Sequence, residues 1–478
     1  MNKFHSTPEQ KISPVKMKVQ DHATAFKTMH PEIFFIRQYG QFFKLDNEKH
    51  YFKPMDKYDL RGDIIDYLDA NQGKDITHGI IDNIIMLLEA RGNFEKELNT
   101  KHIIFNNDLV LNLNDFEIRP YDNTDRVFYY VDCQAPFEQT DCPVFKQFLE
   151  SVLVYENDKS KTDHQLVNLV QEMFGYYLLD RIEPPTAFFL VGDGANGKST
   201  LLFVLEQLMG GDEFVMANSI ENLTSRPFDA QELRFKRLNI CTEEQSKYIK
   251  CDRFKAMIEG TKIHTDIKFA DSISFRPKTK HIFATNRLPL FDTLDDGLRR
   301  RIKIIPFFRK FNSFEADKTL KTPVFSESRF NIELPAIARW AIEGAKRLIE
   351  NNYVFSDADA TDNQLCTYEA AVSSVISFMK ENFVDMGDRN AEFFTYQRLY
   401  RIYVEWCKRN NKKPFSSTNF KDELKINLGL RAEVDKDLFE NREDYGYYAN
   451  IRTNSEILSA SVYFEHINTE KKMPNFDL

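Results

Sequence analysis

The segment Gly-Asp-Gly-Ala-Asn-Gly-Lys-Ser, residues 192–199, constrains the fold of this chain more than any other feature of its sequence. A match to Gly-x-x-x-x-Gly-Lys-Ser arises by chance in on the order of one chain in a hundred of this length. The segment follows the apolar run Ala-Phe-Phe-Leu-Val and precedes leucines on one helical face, Leu201, Leu202, Leu205 and Leu208. Strand, glycine-rich loop and helix in this order predict a phosphate-binding loop (P-loop).

Each residue type in the loop fits the chemistry of a bound nucleotide. Glycine lets the backbone wrap the phosphates with its N–H groups directed inward, and the start of a helix adds its dipole. Lys198 is expected to reach the β- and γ-phosphates, and the hydroxyl of Ser199 to hold Mg²⁺. We therefore predict that ATP and Mg²⁺ bind at Gly192, Asp193, Gly194, Ala195, Asn196, Gly197, Lys198, Ser199 and Thr200. The alternative is a glycine-rich turn with a purely structural role.

Two later strand ends carry polar residues that a nucleotide hydrolase needs. The run Arg-Leu-Asn-Ile-Cys-Thr leads into Glu243 and Glu244, where one carboxylate can support Mg²⁺ and one can polarise the attacking water. We expect Glu243 to join Ser199 as a metal ligand. The next strand ends at Asn286, whose amide can sense the γ-phosphate. Taken alone, such residues are often a solvated strand end and a turn former, so their place after the P-loop carries the prediction.

Three consecutive arginines, Arg299, Arg300 and Arg301, precede a further predicted strand. One interpretation is a solvated basic turn. The other is a guanidinium that stabilises charge on the phosphate of a neighbouring subunit, as in rings of ATPases. The residues alone leave both interpretations open.

Composition limits the class of protein. Charged residues make up 29% of the chain and hydrophobic residues 42%, as in folded globular proteins. No stretch approaches the ~20 apolar residues of a membrane span, and the polar start lacks a signal peptide's apolar segment. We therefore expect a cytoplasmic protein without a membrane partner. The six cysteines and ten histidines show no ligand spacing, so no structural metal is expected.

Pattern changes along the chain predict an α/β protein of four regions. Helical periodicity occurs at 79–90, 144–154, 165–179, 334–349, 372–382 and 396–410. A β-hairpin is predicted at 102–113, and further strand candidates are 187–191, 237–242, 273–276, 281–285 and 302–307. Strands alternating with helices imply a largely parallel sheet. The regions are an N-terminal α+β domain (1–142), a helical collar (143–183), an ATPase domain (184–355) and a C-terminal winged-helix-like domain (356–478).

The order of these motifs resembles that of superfamily 3 helicases, above all the helicase half of phage and plasmid primase–helicases and their poxvirus relatives. The resemblance rests on the P-loop, Arg-Leu-x-x-x-x-Glu, a lysine-bearing hairpin, Phe-Ala-Thr-Asn-x-Leu-Pro and Arg-Arg-x-Lys-Ile-Ile-Pro-Phe. Asn-Gly-Lys-Ser-Thr in the loop is typical of that group. Residues 333–344 and 400–407 are also similar to its later helices. The similarity covers about residues 100–425.

This resemblance implies an AAA+-type P-loop ATPase core that forms a hexamer around DNA and unwinds forks, generally 3′ to 5′. It implies Lys198 and Ser199 in the first motif, Glu243 in the second and Asn286 as the sensor. The arginine finger falls within Arg299–Arg301, at Arg300 by the family's pattern, with Arg301 beside it. Glu244 departs from that pattern and leaves the division of roles between the two glutamates open. The first hundred residues lack the paired carboxylates of a primase, so we expect a helicase without one.

The segment 259–276 is expected to form the hairpin that grips DNA. Lys262, His264 and Lys268 are evenly spaced, hence on one face of its first strand. In the helicases that this chain resembles, the hairpin points into the channel, where a lysine contacts phosphate and an aromatic, here Phe269, can stack on a base. Six copies would concentrate positive charge and reconcile DNA binding with a net charge of −9. The alternative is an exposed hairpin with incidental lysines.

These features together predict an ATP-dependent replicative DNA helicase of a phage, plasmid or mobile genetic island, acting on single-stranded and forked DNA. The C-terminal region adds the hypothesis of an origin-binding initiator with host replication proteins as partners. Two other classes stay open. One is an ATP-dependent loader or remodelling switch that does not unwind DNA, and the other is a non-enzymatic origin-binding factor. The full set of catalytic residue types counts against the second.

Overall fold

The computed structural model describes residues 17–37, 39–72, 76–91, 99–122, 124–136, 141–225, 229–245, 248–267, 270–291, 295–385, 392–410, 412, 414–418, 420–421, 424, 433–434, 445–449 and 451–453. The chain divides into two compact units. The first comprises residues 1–289 and 300–358, and the second comprises residues 290–299 and 359–478. Within the described part of the chain, no helix has the length and apolar character needed to cross a membrane.

The helices and strands follow one another as mixed α and β elements. The α-helices of the described residues are α1 (Val19–Met29), α2 (Lys57–Gln72), α3 (His78–Arg91), α4 (Pro143–Val152), α5 (His164–Leu178), α6 (Lys198–Leu208), α7 (Ile220–Ser225), α8 (Cys251–Ile258), α9 (Asp296–Arg299), α10 (Arg329–Glu350), α11 (Asp359–Val372), α12 (Ser374–Asn382) and α13 (Tyr396–Arg409). The strands are β1 (Ile33–Ile36), β2 (Gln41–Asp46), β3 (Tyr51–Met55), β4 (Asn99–Phe105), β5 (Leu109–Asn112), β6 (Ile118–Pro120), β7 (Val127–Val131), β8 (Ala187–Val191), β9 (Val215–Met216), β10 (Leu238–Cys241), β11 (Tyr248–Ile249), β12 (Ile263–Ile267), β13 (Ala270–Phe275), β14 (Lys280–Thr285), β15 (Leu290–Phe291), β16 (Ile302–Pro306), β17 (Phe383–Asp385), β18 (Glu392–Thr395), β19 (Glu433–Val434), β20 (Tyr445–Ala449) and β21 (Ile451–Thr453).

A five-stranded parallel sheet forms the centre of the first unit, in the order β16-β8-β14-β10-β9. β14 is buried along its whole length, as expected for parallel strands covered on both faces. The predicted α/β class with a parallel sheet is confirmed, and the strand candidate at 273–276 is present outside this sheet. Those residues fall in and just after β13, which pairs with β12 in a hairpin. The fifth strand is β9, whose two residues are too few to show a pattern.

The N-terminal part of the first unit contains two sheets in which most neighbouring strands are antiparallel. β1, β2 and β3 pair in order and share a core with α1, α2 and α3, while β4 to β7 form the order β6-β5-β4-β7. Aromatic rings connect these sheets to the central one, since Phe128 contacts both Phe43 and Phe214 edge-to-face. The sequence shows little pattern over residues 1–50, because its strands there are only four and six residues long.

The long helix α10 crosses α5 at very short range. A Cβ on Gly175 would lie 2.2 Å from the backbone nitrogen of Ala345, and one on Gly344 would lie 2.1 Å from the carbonyl oxygen of Gln171. The carboxylate of Glu333 on α10 also accepts hydrogen bonds from the first backbone N–H groups of α4, at 2.9 Å each. α10 begins at Arg329, capped by Ser328, whereas the sequence pattern placed its start at residue 334. This helix therefore holds both α4 and α5.

Two buried cations bind the carboxyl end of α5 to the sheet. Lys280 Nζ donates to the carbonyl oxygens of Tyr176, at 2.5 Å, and Leu179, while Arg237 donates to that of Leu178 at 3.2 Å. A cation near a helix carboxyl terminus is stabilised by the helix dipole. Burial lowers the pKa of Lys280 well below its ordinary value and that of Arg237 to about 10.

The second unit combines helices with short antiparallel strands. α12 and α13 share an apolar core that includes Phe378, Tyr403 and Phe420. β18, β20 and β19 form one small sheet and β17 pairs with β21. α11 was not predicted, because its sequence Asp-Ala-Thr-Asp-Asn-Gln-Leu-Cys-Thr-Tyr-Glu-Ala-Ala-Val is mostly polar. Much of the predicted winged-helix-like region lies outside the described residues.

We predict that Gly175→Ala destabilises the protein, because its methyl group would overlap the backbone of α10. Overpacking costs about 1–3 kcal/mol, and a rigid backbone partner places this change at or above the upper end. Gly62→Ala is the matched control, since Gly62 also lies inside a helix, α2, and nothing lies within 4 Å of its added Cβ. That change should stabilise by about 0.5–1 kcal/mol. Chemical denaturation of the two variants measures both effects, and equal stabilities would contradict the close crossing.

Candidate functional site

The P-loop leaves the sheet at the end of β8 and enters α6 through Gly197. The backbone N–H of Gly192 donates to the carbonyl oxygen of Thr285, 3.3 Å away, so the start of the loop is tied to the end of β14. Gly197 is the N-cap of α6 and has a left-handed φ of 93°. A Cβ there would lie 2.7 Å from Cγ1 of Val152 on α4. Glycine is therefore required both by the turn and by the close approach of α4.

Lys198 is buried, and its ammonium group faces the loop itself. Nζ donates to the carbonyl oxygen of Gly192 and, at 3.1 Å, to Oδ1 of Asn196. Burial lowers the pKa of Lys198, and the nearby Asp193 partly opposes this. Nδ2 of Asn196 is also buried and has no hydrogen-bond partner among the described residues. A buried cation on neutral acceptors, an unsatisfied donor and a helix amino terminus fit an anion such as a phosphate group.

Hydrogen bonds tie together the carboxyl ends of three neighbouring strands. Besides the bond from Gly192 to Thr285, the backbone N–H of Glu244 donates to Ala284 at 2.7 Å. The hydroxyl of Thr285 donates to the carbonyl oxygen of Glu244 at 3.1 Å. Asn286 follows Thr285 directly, so the sequence-predicted loop, acids and sensor lie at one edge of the sheet. Ser199, Glu243 and Asn286 are exposed there.

The two adjacent glutamates differ in environment. Glu244 is 4% exposed, and its Oε2 accepts a hydrogen bond from the backbone N–H of Ile220 at the start of α7, at 2.8 Å. Asn239, fully buried in β10, holds the segment between β9 and α7. Its Oδ1 accepts from the backbone N–H of Asn218, and its Nδ2 donates to the carbonyl oxygen of the same residue. Glu243 is exposed at the strand end. The carboxylate of Glu244 thus holds α7 against the strand end.

Arg300 and Arg301 lie at the opposite edge of the sheet from the P-loop. Arg301 directly precedes β16, and its carbonyl oxygen accepts a hydrogen bond from Ala187 at the start of β8. Arg299 forms an ion pair with Glu369 at 2.7 Å, and Arg301 forms one with Glu259. Arg300 is exposed between them. The structure does not bring Arg300 and Arg301 together with the P-loop of the same chain.

The hairpin predicted at 259–276 is present as β12 and β13. Lys262 and His264 are exposed, and the ring of His264 contacts Oγ of Ser274 across the strands at 2.9 Å. The pairing register shifts between Thr265 and Ile267. The expectation that Lys262, His264 and Lys268 share one face of the strand stays a prediction. Lys268 and Phe269 themselves lie outside the described residues.

A cavity of about 550 Å³ adjoins the P-loop and was not predicted. Its walls come from α4, through Phe148 and Val152, from the P-loop, and from the segment after β16, through Arg309 and Phe311. The guanidinium of Arg309 lies 4.6 Å from the ring centroid of Phe311. The backbone N–H of Phe311 donates to Ala195 at 2.8 Å. The basic-aromatic run that follows β16 was the available sequence signal.

Two family models match this chain. The one described as a family of unknown function (DUF5906) matches residues 190–301, which contain the P-loop, both glutamates, Asn286 and the arginines. The one described as poxvirus D5 protein-like matches residues 373–461 in the second unit. The apo structure of the NrS-1 C-terminal region, in its A form, aligns over 90% of this chain and 98% of its own length, with a TM-score of 0.48 and 12% identity.

Relatives among viral proteins match shorter stretches. Protein L207/L206 of Acanthamoeba polyphaga mimivirus, which is named as a helicase, is 30% identical over 152 residues, or 30% of this chain and 16% of the relative. Uncoating factor OPG117 of vaccinia virus (strain Western Reserve) is 31% identical over 135 residues, or 26% and 17%. Primase D5 of fowlpox virus (strain NVSL) is 25% identical over 176 residues, or 34% and 22%. Each match spans less than a quarter of the relative's length. They confirm the resemblance seen in the motifs: this chain is a relative of the D5-type superfamily 3 helicases.

Proposed function

We propose that this chain is an ATP-dependent DNA helicase that works as a ring of six copies. The proposal rests on one observation. At the carboxyl edge of the parallel sheet, hydrogen bonds connect the ends of β8, β14 and β10. There a phosphate-binding loop, an exposed acid and an exposed amide follow neighbouring strands, which lie about 4.8 Å apart. Ligands bind at this edge in open parallel sheets. The kinship with D5-type helicases supports DNA as the substrate.

In this proposal the loop residues bind the phosphates of ATP. Lys198 would exchange its neutral acceptors for phosphate oxygens, and the exposed hydroxyl of Ser199 with the carboxylate of Glu243 would hold Mg²⁺. The metal ion would supply charge neutralisation at the β- and γ-phosphates. Glu243 would also polarise the attacking water and Asn286 would orient it. We assign Glu244 a supporting role, because its carboxylate is already engaged by the backbone of α7.

The cavity beside the P-loop suits the nucleoside part of the same nucleotide. It adjoins Gly197 and Thr200, at the end of the loop where α6 begins. One wall is apolar, through Val152 and Phe148, and the other carries the stacked pair of Arg309 and Phe311. Flat apolar and cationic surfaces of this kind favour stacking of a base.

The position of Arg300 supports action between subunits. β16 pairs with β8 from Ile302 opposite Ala187 to Pro306 opposite Val191, and the P-loop begins only after Val191. Five residues of strand, roughly 16 Å at ~3.3 Å per residue, therefore separate the arginines from their own loop. An arginine side chain is too short to span this distance. Arg300 is thus suited to the nucleotide of a neighbouring copy, with Arg301 beside it, which favours a ring.

For DNA we propose contacts along the hairpin through Lys262, His264, Lys268 and Phe269. The second unit, where the D5-like model matches, would serve as the winged-helix-like DNA-binding domain and α4 with α5 as the collar. Binding of origin DNA and of host replication proteins would add an initiator role. Polarity is expected to be 3′ to 5′, by the resemblance.

The first experiment compares the parent with Lys198→Ala in ATP hydrolysis and in strand separation of forked DNA. Loss of the buried ammonium should lower hydrolysis by at least about a hundredfold and abolish unwinding. Lys161→Ala is the control, because Lys161 is a highly exposed lysine on the surface. Hydrolysis by Lys198→Ala at the parent rate would refute the nucleotide site. Hydrolysis by the parent without any strand separation would favour a loader or remodelling switch.

The second experiment separates the two glutamates. Glu244→Ala should destabilise the fold by about 1–3 kcal/mol, because it leaves the buried N–H of Ile220 without its acceptor. Glu243→Ala removes an exposed carboxylate, so its stability should stay within about 0.5 kcal/mol of the parent while hydrolysis is lost. Chemical denaturation and ATPase assays on both variants decide this. The reverse pattern would exchange the two roles.

The third experiment tests Arg300 across subunits. Arg300→Ala should still bind ATP but hydrolyse it about a thousandfold more slowly, as expected for loss of an arginine finger. Mixing it with Lys198→Ala subunits should restore partial activity, since some interfaces then contain both intact groups. Arg339→Ala is the control and should retain activity, since Arg339 on α10 is partly exposed and pairs only with Glu343 of the same helix among the ion pairs of the described residues. Absence of recovery at every mixing ratio would exclude Arg300 as the group acting in trans.

A further inference from the structure

The ion pair between Glu259 and Arg301 joins two parts of the first unit that the proposed function uses separately. Glu259 is the C-cap residue of α8 and lies four residues before β12, the first strand of the hairpin. Arg301 lies directly after Arg300 and directly before β16. The partners are 42 positions apart in the sequence, and their contact comes only from the fold.

Glu259 is joined through the backbone to the base of the hairpin, where β12 begins and β13 ends. Gly260 has a left-handed φ of 56°, and a Cβ there would lie 2.4 Å from the carbonyl oxygen of Pro277 and 2.4 Å from Cδ1 of Ile182. Pro277 follows β13, so both ends of the hairpin meet at this point. Hydrogen bonds from Gly260 and Thr261 back to α8 extend the same unit. A displacement of the hairpin base must therefore carry Glu259 with it.

The Arg301 end is anchored in the central sheet. Its carbonyl oxygen accepts the backbone N–H of Ala187 at 2.8 Å, in register with the pairing of Ile302 and Ala187. The side chains of Arg301 and Glu259 are 18% and 34% exposed. Solvent and salt screen such a partly buried pair less than a fully exposed one. Charge-assisted hydrogen bonds between a guanidinium and a carboxylate are also directional. A movement of Glu259 can therefore change the orientation of Arg301.

We propose that Glu259 and Arg301 are positioning residues that couple the hairpin to Arg300. This inference rests on the proposed function, in which the hairpin contacts DNA and Arg300 serves the nucleotide of a neighbouring copy. Engagement of DNA shifts the hairpin base, Glu259 moves with it, and the change in its bond to Arg301 redirects the adjacent Arg300. DNA then accelerates ATP hydrolysis through this contact. Coupling between the DNA site and the nucleotide site requires an interaction that differs between the DNA-bound and DNA-free states, and the ion pair of Glu259 with Arg301 is that interaction.

The test measures ATP hydrolysis with and without single-stranded DNA for the parent and Glu259→Gln, which removes the charge with little change in shape. The ratio of DNA-stimulated to unstimulated kcat should fall about fivefold or more, the range of coupling between sites. KM for ATP and the affinity for single-stranded DNA should keep their parent values. The reversed pair, Glu259→Arg with Arg301→Glu, should recover the stimulation, because it restores the ionic contact.

The matched control is Asp63→Asn, which breaks the ion pair with Lys44 in the same unit. That pair has an N–O distance of 2.6 Å and side chains 35% and 25% exposed, and it lies between β2 and α2. The stimulation of ATP hydrolysis by single-stranded DNA in Asp63→Asn should equal that of the parent. Full stimulation in Glu259→Gln overturns the inference and leaves the proposed function standing. Glu259→Gln can also lower the stability of the fold. In that case the inference is overturned if the reversed pair regains the parent's stability but not the stimulation of ATP hydrolysis by DNA. A parent that DNA does not stimulate contradicts the proposed function and the inference together.

Discussion

The parallel register around β8 is the constraint on which the arrangement of the candidate site depends. Because β14 and β16 run beside β8 in the same direction, position in the chain decides the edge at which a residue emerges. Residues that follow these strands, such as Gly192 and Asn286, emerge at one edge. Residues that precede them, such as Pro277 and Arg301, emerge at the other. One chain therefore carries its P-loop and its Arg300 at opposite edges of the sheet, and in the proposed function this separation is the reason for assembly of copies around shared sites.

Helix α5 keeps this sheet and the layer of helices in fixed relation. Its side facing α10 has no room for a side chain at Gly175, and its carboxyl end is bound by Lys280 and Arg237. Burying two cations is costly, but each donates to carbonyl oxygens of the last helical turn. The same helical layer includes α4, whose Val152 lies against Gly197 of the P-loop. Packing of α10 against α4 and α5 thus supports the contact that requires glycine at position 197 of the P-loop.

Local patterns in the sequence were sufficient for the parts of the site that are continuous in the chain. The P-loop, with its strand and helix, and the strands leading to Glu243 and Asn286 follow from short runs of residues. Contacts between distant residues were not accessible in this way. The bond from Ile220 to Glu244 and the ion pair of Glu259 with Arg301 join elements that no periodicity connects. β14 was predicted to begin at residue 281, since a lysine gives no sign that it will be buried beneath a helix end.

Adjacent residues of one type take different roles in this fold, and the cause is geometric. Glu243 and Glu244 follow β10 at a bend, and Arg300 and Arg301 lie in the turn before β16, so neighbouring side chains leave the backbone in different directions and enter different environments. Glu244 turns inward to the backbone of α7 while Glu243 stays exposed, and Arg301 is drawn to Glu259 while Arg300 stays exposed. In each pair the engaged residue fixes the backbone from which the exposed one projects. An exposed carboxylate or guanidinium that is held in this way loses less conformational entropy when it binds phosphate or metal than one on a mobile loop would. In the proposed function, duplication of the residue type would therefore supply a support and an acting group side by side, at both edges of the sheet.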